Sequence, residues 1–440
     1  MKILSLGTPL FSAHWRAKGH RVLVVADVAL PTHEDNIPFD FFAHPDTCAQ
    51  RFETIVDRFQ PDLVFQGDHS TPLIHCGLED LDIPKAWYSI DSHLHLSWHK
   101  HYAVLFDRLF VAQKNLVPHL SRYQQHLYWL PPFCQQTAEF MPWEGREHDV
   151  AFVGTLDSGR NPERVRLFDE VRQRGISLHL AGGAYRPVYR SSRIVINQAV
   201  KDDLNLRVFE AMGCGSLLVT DRISHSLHEL YDEGSDYLAY SPGDADDCAE
   251  KIIWALGHPQ KAEAIARSGH EKTLSLHCEK HRAAQVMETL SALAADRSAD
   301  RIDDETAASH LAWVHDYCAR CALPESLVAF FAAQADNFAA QGRQSVTARP
   351  WSLLVWAGQA LNKTNMPLVN ALLAQIPEIP EDREFRIRHA CLCMVSLSAS
   401  GKRAEAQKLA DVSLREFSDA EEIKEAARAI SQENCSSPLS

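Results

Sequence analysis

The residues best suited to chemistry lie in segment 201–221, where a polar loop leads into a helix expected over 206–212 and then into a strand. The first backbone N–H groups of a helix have no partners within the helix, so they attract anions. Lys201 and Arg207 add positive charge to the loop and the helix start. The segment therefore predicts a site for a diphosphate, with ordinary surface charges as the alternative for the two basic residues.

Acidic and polar residues of the same segment are candidates for the remainder of such a ligand. Asn205 and Leu206 open the helix, and Glu210 lies one turn into it, where a carboxylate can bind a ribose diol. The alternative for Glu210 is a carboxylate stabilised by the helix dipole. Asp202, on the loop, can bind a second hydroxyl group, or it can act with Asp203 as a helix N-cap.

Other candidates follow predicted strands, at the edge where parallel sheets bind ligands. Arg160 lies in a loop after a strand expected over 149–153 and is a second candidate for the phosphates. Asp91 and His93 follow the strand expected over 85–90 and predict one wall of a cleft. Further histidines follow this pair, yet no carboxylate accompanies them at helical ligand spacing, so the sequence predicts no metal site.

Two more strand ends carry candidate residues. Gly7 follows the first strand, and a glycine there allows the backbone to approach a ligand closely. Asp68 and His69 follow the third strand and are candidates for contact with an acceptor, Asp68 also as a base. A turn aspartate is the alternative for Asp68. Asp244 resembles half of a metal-binding Asp-x-Asp pair, but its place at a helix start favours capping.

Buried apolar runs that alternate with amphipathic stretches predict two parallel sheets with crossover helices. The first domain is expected over 1–140, with a turn-rich linker at 131–148. The second domain is expected over 141–290. The expected strands are 2–6, 21–25, 62–66, 85–90, 108–112 and 127–130 in the first domain, and 149–153, 177–181, 193–197, 216–220 and 236–240 in the second.

The composition changes after the charged stretch 296–305, where alanine, leucine and glutamine dominate and no strand-like run occurs. Prolines and glycines divide this part into helical stretches, which predicts an accessory domain of helical hairpins over 300–440. The pair 403–417 and 420–430 resembles tetratricopeptide-type packing. Such a domain favours binding of a protein partner or self-association.

Composition excludes several classes of function. The chain of 440 residues carries 44 Lys and Arg against 58 Asp and Glu, a net charge of −14. A protein that neutralises a nucleic-acid backbone needs a basic surface, so no nucleic-acid polymer is expected as a partner. No apolar run is long enough for a membrane span, and the N-terminus lacks the pattern of a signal peptide. Eleven scattered cysteines favour reduced thiols, and together these features predict a cytoplasmic protein.

Several of these motifs occur together, in order, in one known family. The run 205–215, Asn-Leu-Arg-Val-Phe-Glu-Ala-Met-Gly-Cys-Gly, resembles the signature of the CgeB-like (spore-maturation-type) glycosyltransferases of the GT-B superfamily. Segments 87–93 and 106–114 resemble the N-terminal domain of that family, and 149–155 resembles the start of its second domain. The helix expected over 266–281 matches the family's closing helix more loosely.

The resemblance implies an α/β fold of the GT-B type, with two Rossmann-like domains facing a cleft. It implies that the second domain, through Gly154 and the 201–210 segment, binds a nucleotide-diphosphate sugar, and that the first domain binds the acceptor. His93 would face the transferred sugar and stabilise developing charge, while Asp91 would orient it or contact the acceptor.

The resemblance also implies hexosyl transfer without a metal or other cofactor, because basic side chains and a helix N-terminus stabilise the leaving diphosphate. The spacing of Asp202 and Glu210 resembles a retaining-type motif, although Asp202 is one methylene shorter than the family's glutamate. An inverting reaction would instead need a base such as Asp91 or Asp68.

Two alternative functions stay open on the sequence. An epimerase or hydrolase of nucleotide sugars can use the same scaffold and would turn over its substrate without an acceptor. A catalytically inactive interaction protein would use the helical domain to bind a partner. The sugar, the nucleotide base and the acceptor depend on pocket shape, which residue spacing does not determine.

Overall fold

The computed structural model describes residues 1–26, 35–38, 45–67, 78, 81–159, 161–295, 366–374, 376, 379 and 383–435, together with 308, 310–312, 314 and 335. By their contacts the residues form two units, one comprising most of 1–301 and the other most of 302–440. None of the described helices has the length and apolar character needed to span a bilayer.

The first sheet has seven parallel strands in the order β3-β2-β1-β4-β5-β6-β7. Its central strands are buried on both faces, as expected for the sheet of an α/β domain. The strands are β1 (Lys2–Leu6), β2 (Arg21–Ala26), β3 (Asn36–Pro38), β4 (Leu63–Gln66), β5 (Lys85–Ser89), β6 (Arg108–Val111) and β7 (Leu127–Trp129). The connecting helices are α1 (Ser12–Ala17), α2 (Pro45–Phe59), α3 (Ser92–Tyr102) and α4 (Val117–Leu120).

The second sheet has five parallel strands in the order β12-β11-β10-β8-β9. The strands are β8 (His148–Val153), β9 (Leu178–Ala181), β10 (Ser192–Asn197), β11 (Leu217–Asp221) and β12 (Leu238–Tyr240). The helices are α5 (Pro162–Gln173), α6 (Tyr185–Arg190), α7 (Leu206–Gly213), α8 (Leu227–Leu230), α9 (Ala245–Gly257) and α10 (Pro259–Leu276). Aliphatic strand residues such as Ile194, Ile196 and Val219 form its core with α5 and α9.

A further helix, α11 (Glu279–Ala295), returns to the first sheet. Ala283 and its apolar neighbours one and two turns on belong to the core of the first domain. The indole Nε1 of Trp15 donates to the carbonyl of Ala283 at 3.0 Å, and the backbone N–H of Phe11 donates to Oε1 of Glu279 at 2.8 Å. The chain therefore crosses between the two domains twice, once near residue 134 and once near 278.

The structure confirms the two Rossmann-like domains expected from the sequence, and every expected strand lies within two residues of an observed one. Strand β3 is the one described strand that was not expected from the sequence. It is three residues long, contains Pro38 and pairs only through β2 at the edge of the sheet, where a proline is tolerated. Such a short strand has no apolar alternation from which it can be predicted.

Among its described residues, the C-terminal unit contains helices and the turns that join them but no strand, as expected. It contains α12 (Met366–Leu373), α13 (Arg383–Ala399), α14 (Arg403–Glu416) and α15 (Glu421–Cys435). Met394, Ala406 and Ile423, one from each of the last three helices, are fully buried in a common core. The tetratricopeptide-type packing stays a prediction, since this cluster of three helices does not establish a repeat.

Candidate functional site

A cavity of about 280 Å³ lies between the carboxyl edges of the two sheets. Its volume is close to the lower end of the range for small-molecule pockets, which begins at about 300 Å³. Both Rossmann-like domains contribute to it. The lining residues are Ile90, Asp91, Gln113 and Pro132 from the first domain and the linker, and Asp203, Leu204, Asn205, Leu206, Arg207 and Glu210 from the second.

Helix α7 points its N-terminus at this cavity. Asn205 is the N-cap residue, with φ of −91° and ψ of 167°, and its side chain makes no capping hydrogen bond. Its Oδ1 is buried without a hydrogen-bond partner, while its Nδ2 donates to Oδ1 of Asp203 at 3.3 Å. The opposite face of α7 is apolar and packs through Val208 and Met212 into the core. The hydrophobic packing of α7 thus leaves its uncapped N–H groups to face the cavity.

Arg207 is held rigidly at the end of β8. Its Nη1 donates to Oδ1 of Asn197 at 2.6 Å and its Nε to the carbonyl of Val153 at 3.2 Å. The guanidinium lies 4.3 Å from the ring centroid of Phe152, a cation–π contact. A preorganised guanidinium beside a helix N-terminus is a suitable partner for phosphate oxygens.

Gly154 leaves room for Arg207. A Cβ added at Gly154 would lie 2.7 Å from Nη2 of Arg207 and 2.9 Å from Cζ of Phe152, and the glycine has φ of 155°. The structure thus shows why glycine suits this position beside Arg207, while a contact of Gly154 with a donor stays a prediction.

We expect Gly154→Ala to displace the Arg207 guanidinium and to lower stability by about 1–3 kcal/mol. Gly182→Ala is the matched control, since Gly182 follows the neighbouring strand β9 and an added Cβ meets nothing within 4 Å. Crystal structures of both variants and urea unfolding would measure the two effects. If Arg207 keeps its position in the Gly154 variant, the close approach of residue 154 to the guanidinium does not require a glycine.

Glu210 lies one turn into α7 and lines the same cavity. Burial raises its pKa from the usual 4.5 to about 7, and the nearby Arg207 only partly offsets this. The carboxylate also contributes to raising the pKa values of Tyr185, Cys134 and Cys214, so these groups lie close enough to sense its charge. A partly buried carboxylate without a strong partner can accept hydrogen bonds from hydroxyl groups of a ligand.

Lys201 and Asp202 form a turn before the cavity, and both have left-handed backbone, with φ of 52° and 62°. The carboxylate of Asp202 accepts a hydrogen bond from the backbone N–H of Ser224 at 2.7 Å and another from the Ser224 hydroxyl. Neither residue is among those that line the cavity. The structure thus places Asp203, rather than Asp202, at the cavity wall.

Asp91 and His93 begin α3, at the carboxyl end of β5. Asp91 is the N-cap residue and lines the cavity. His93 faces the second domain, with Nε2 3.9 Å from Oδ2 of Asp203, and the two side chains are 9% and 10% exposed. Burial lowers the pKa of His93 and raises the pKa of Asp203, although each group opposes the shift of the other. Nδ1 of His93 is buried without a hydrogen-bond partner.

The histidines after His93 do not converge on a common point. His99 is fully buried, its Nδ1 bonds to the hydroxyl of Ser89 at 2.7 Å, and its ring packs edge-on against Trp87 and Trp98. Burial lowers the pKa of His99 well below 6.5, so it is a neutral core residue. Within the described part of the chain, no three His, Cys, Asp or Glu side chains are arranged to hold a metal ion.

The remaining candidates lie elsewhere. Gly7 ends β1 with φ of 75° and donates its N–H to the carbonyl of Val25, and it does not line the cavity. Arg160, Asp68 and His69 lie outside the described residues. Of the predicted site residues, the structure brings together Asp91, Asn205, Leu206, Arg207 and Glu210.

Sequence reasoning missed Gln113 and left Asp203 open between a helix cap and the binding role given to Asp202. Gln113 lies within the 106–114 segment that resembles the family, but a lone glutamine after a strand carries no signal of its role. Arg164 was missed as well. It donates to the carbonyls of Gln198 and Thr155 and lies over Phe152 at 5.2 Å, so it supports the ring on which Arg207 also lies.

Residues 144–288 match the glycosyl transferase-like family model. The matched region contains α7 and every second-domain residue that lines the cavity. A search among curated proteins gives no match.

Sucrose-phosphate synthase from Thermosynechococcus elongatus superposes with a TM-score of 0.51 at 14% identity, covering 67% of this chain and 99% of that one. Anabaena HepE in complex with UDP and glucose superposes with a TM-score of 0.49 at 14% identity, covering 67% of this chain and 100% of that one. A Listeria monocytogenes protein described as a UDP-N-acetylglucosamine 2-epimerase superposes with a TM-score of 0.45 at 14% identity, covering 69% of this chain and 99% of that one. The likeness to the synthase, with the two parallel sheets, confirms the GT-B fold and leaves the substrate open.

Proposed function

We propose that the chain is a glycosyltransferase that takes a sugar from a nucleotide-diphosphate donor. The observation that carries the proposal is the cavity at the N-terminus of α7, where Arg207 and Glu210 converge inside the region that matches the glycosyl transferase-like model. UDP and glucose are bound by the Anabaena protein of similar fold. A uridine diphosphate sugar is therefore the first donor to test.

In the proposed complex the uncapped N–H groups of α7 and the fixed guanidinium of Arg207 hold the diphosphate, and Glu210 accepts hydrogen bonds from the ribose hydroxyls. Lys201, in the turn before the cavity, adds positive charge to the approach. The same groups stabilise the diphosphate as it leaves, which removes the need for a metal ion.

The acceptor side is proposed to be the wall formed by the first domain. Asp91 lies in the cavity wall opposite α7, where a carboxylate can orient an acceptor hydroxyl or remove its proton. His93 borders the same space through Asp203 and is proposed to stabilise charge on the transferred sugar. Product analysis by NMR would show whether the anomeric configuration is inverted, as a base at Asp91 requires, or retained.

Finer assignments are part of the same proposal. The 205–215 run supports a CgeB-like subtype with hexosyl transfer, the scattered cysteines support a reducing compartment such as the cytoplasm, and the helical unit is proposed to bind a protein partner or a second copy.

Titration of the purified full-length chain with UDP-glucose, GDP-mannose and dTDP-glucose tests the proposal. We expect one donor to bind, and Glu210→Ala to weaken that binding without unfolding the chain. Glu250→Ala, an exposed glutamate on α9, is the control. Failure of all three donors to bind would overturn the proposal, and turnover without acceptor would identify an epimerase or hydrolase instead.

A further inference from the structure

A single buried glutamine joins the first domain to the loop that precedes α7. Gln113 follows β6 and is 2% exposed. Its Nε2 donates to the carbonyl of Leu204 at 3.1 Å, and its Oε1 accepts the N–H of Leu204 at 2.9 Å. Both polar groups of the amide are thus used on one residue of the other domain.

Leu204 needs these hydrogen bonds. It is fully buried in the core of the second domain and lies outside any helix or strand, so its backbone groups have no ladder partners. A buried backbone N–H or carbonyl without a partner is strongly unfavourable. Gln113 supplies both partners, and the next residue along the chain, Asn205, is the N-cap of α7.

The neighbouring Asp203 makes a second contact with the first domain. Its carboxylate accepts the N–H of Val200 at 2.6 Å and faces Nε2 of His93 at 3.9 Å. The two residues before the N-cap thus both contact the first domain, Leu204 through Gln113 and Asp203 through His93.

We propose that Gln113 is a positioning residue that holds the 203–205 turn, and through it the N-terminus of α7, in the geometry that binds the donor. The proposal rests in part on the proposed function, because the donor is what α7 would bind. It extends that function by making donor affinity depend on a side chain of the acceptor domain.

Two variants separate this role from a general effect on folding. Gln113→Met keeps the length of the side chain and removes its hydrogen bonds. Gln124→Met is the matched control, because Gln124 is also buried and its amide also bonds backbone groups, those of Ala103, Phe106 and His126, all within the first domain.

Hydrogen–deuterium exchange of the full-length chain is the first measurement. We expect the Leu204 amide, followed in a peptide that covers 203–207, to exchange about tenfold faster in Gln113→Met, since its hydrogen bond to Gln113 is lost. Gln124→Met should leave 203–207 unchanged and accelerate exchange in 103–126. Equal exchange of 203–207 in the wild type and in Gln113→Met would overturn the proposal.

Rescue by Gln113→Glu is the second measurement. A protonated carboxyl group has one donor and one acceptor, so it can reproduce both hydrogen bonds to Leu204, whereas the carboxylate repels the carbonyl. The charged groups around this position are Asp91, His93, Asp203, Arg207 and Glu210. Protection of 203–207 in Gln113→Glu should be restored at pH 5 and lost at pH 8. Because amide exchange itself depends on pH, each rate is compared with those of the wild type and of Gln113→Met at the same pH.

Donor titration is the third measurement and separates the two proposals. If the wild type binds UDP-glucose, Gln113→Met should bind it about tenfold more weakly, while Gln124→Met should match the wild type. Unchanged affinity together with faster exchange of 203–207 would overturn the link to the donor. If the wild type binds no nucleotide sugar, the proposed function fails, and the exchange data still decide whether Gln113 positions α7.

Discussion

Glu210→Gln is expected to make the protein more stable at pH 8 and, at the same time, to weaken binding of the nucleotide-sugar donor. Burial raises the pKa of Glu210 from 4.5 to about 7, so the folded chain resists the ionised form that the unfolded chain adopts freely. The ionised carboxylate is retained, on the proposed function, because it accepts the ribose hydroxyls. A neutral amide at this position removes the free-energy cost of ionising a carboxyl group in the folded chain, and it also weakens binding of the donor.

The direction with pH follows from the raised pKa. Between pH 4.5 and 7 the folded chain holds a proton that the unfolded chain releases, so this group lowers stability as pH rises through that interval. Above the interval the full penalty applies, which for a shift of this size is about 3 kcal/mol. Glu210→Gln should therefore gain up to that amount at pH 8, and the gain should shrink steadily towards pH 5.

Urea unfolding of the full-length chain at pH 5, 6, 7 and 8 measures this effect, with donor titration at pH 8 alongside. Glu250→Gln serves as the control because Glu250 is exposed on α9. A Glu210→Gln variant as stable as the wild type at every pH would show that the carboxylate carries no penalty. Unchanged donor affinity would show that Glu210 does not bind the donor.

The strands and most helices of the first two domains could be predicted because their signals are local. Buried apolar runs mark the strands, and Asp244 accepts the N–H groups of Asp246 and Asp247 as the expected cap of α9. The position of α7 before a Gly-x-Gly turn is likewise visible in the sequence. Its apolar face and its polar N-terminus are both encoded within a dozen residues.

The wall of the cavity could be predicted only in part, because it depends on contacts between distant residues. The sequence does not show that the left-handed turn at Lys201 and Asp202 directs Asp202 to Ser224 and leaves Asp203 at the cavity. Nor does it show that Gln113 meets Leu204, which lies 91 residues away along the chain. The different roles of Arg164 and Arg207 could not be predicted from the sequence either.

Phe152 shows why two arginines near one site need not share a role. Arg164 and Arg207 both lie over its ring, at 5.2 and 4.3 Å from the centroid. Arg164 is buried and bonds Gln198 and Thr155, and burial lowers its pKa to about 10. Only Arg207 lines the cavity. The first arginine fixes the ring, and the second is available to a ligand.

On the proposed function, Arg207→Met is expected to lower kcat for sugar transfer by about 100- to 1,000-fold, the effect typical of removing one group that stabilises developing charge. It also leaves Oδ1 of the buried Asn197 without its donor, which lowers stability by about 1–3 kcal/mol. Because Arg207 lowers the pKa of Glu210, the variant should in addition shift the pH dependence of donor binding upward.

Arg164→Met is the matched control for this prediction, since it removes the other arginine from the same ring and at least as many hydrogen bonds. We expect it to destabilise the chain as much as Arg207→Met while kcat of the folded enzyme changes little. Steady-state kinetics at a temperature where both variants are folded, with urea unfolding as the check, makes the comparison. Equal losses of kcat in the two variants would show that Arg207 acts only through the packing around Phe152, whereas a loss confined to Arg207 assigns it to the departing diphosphate.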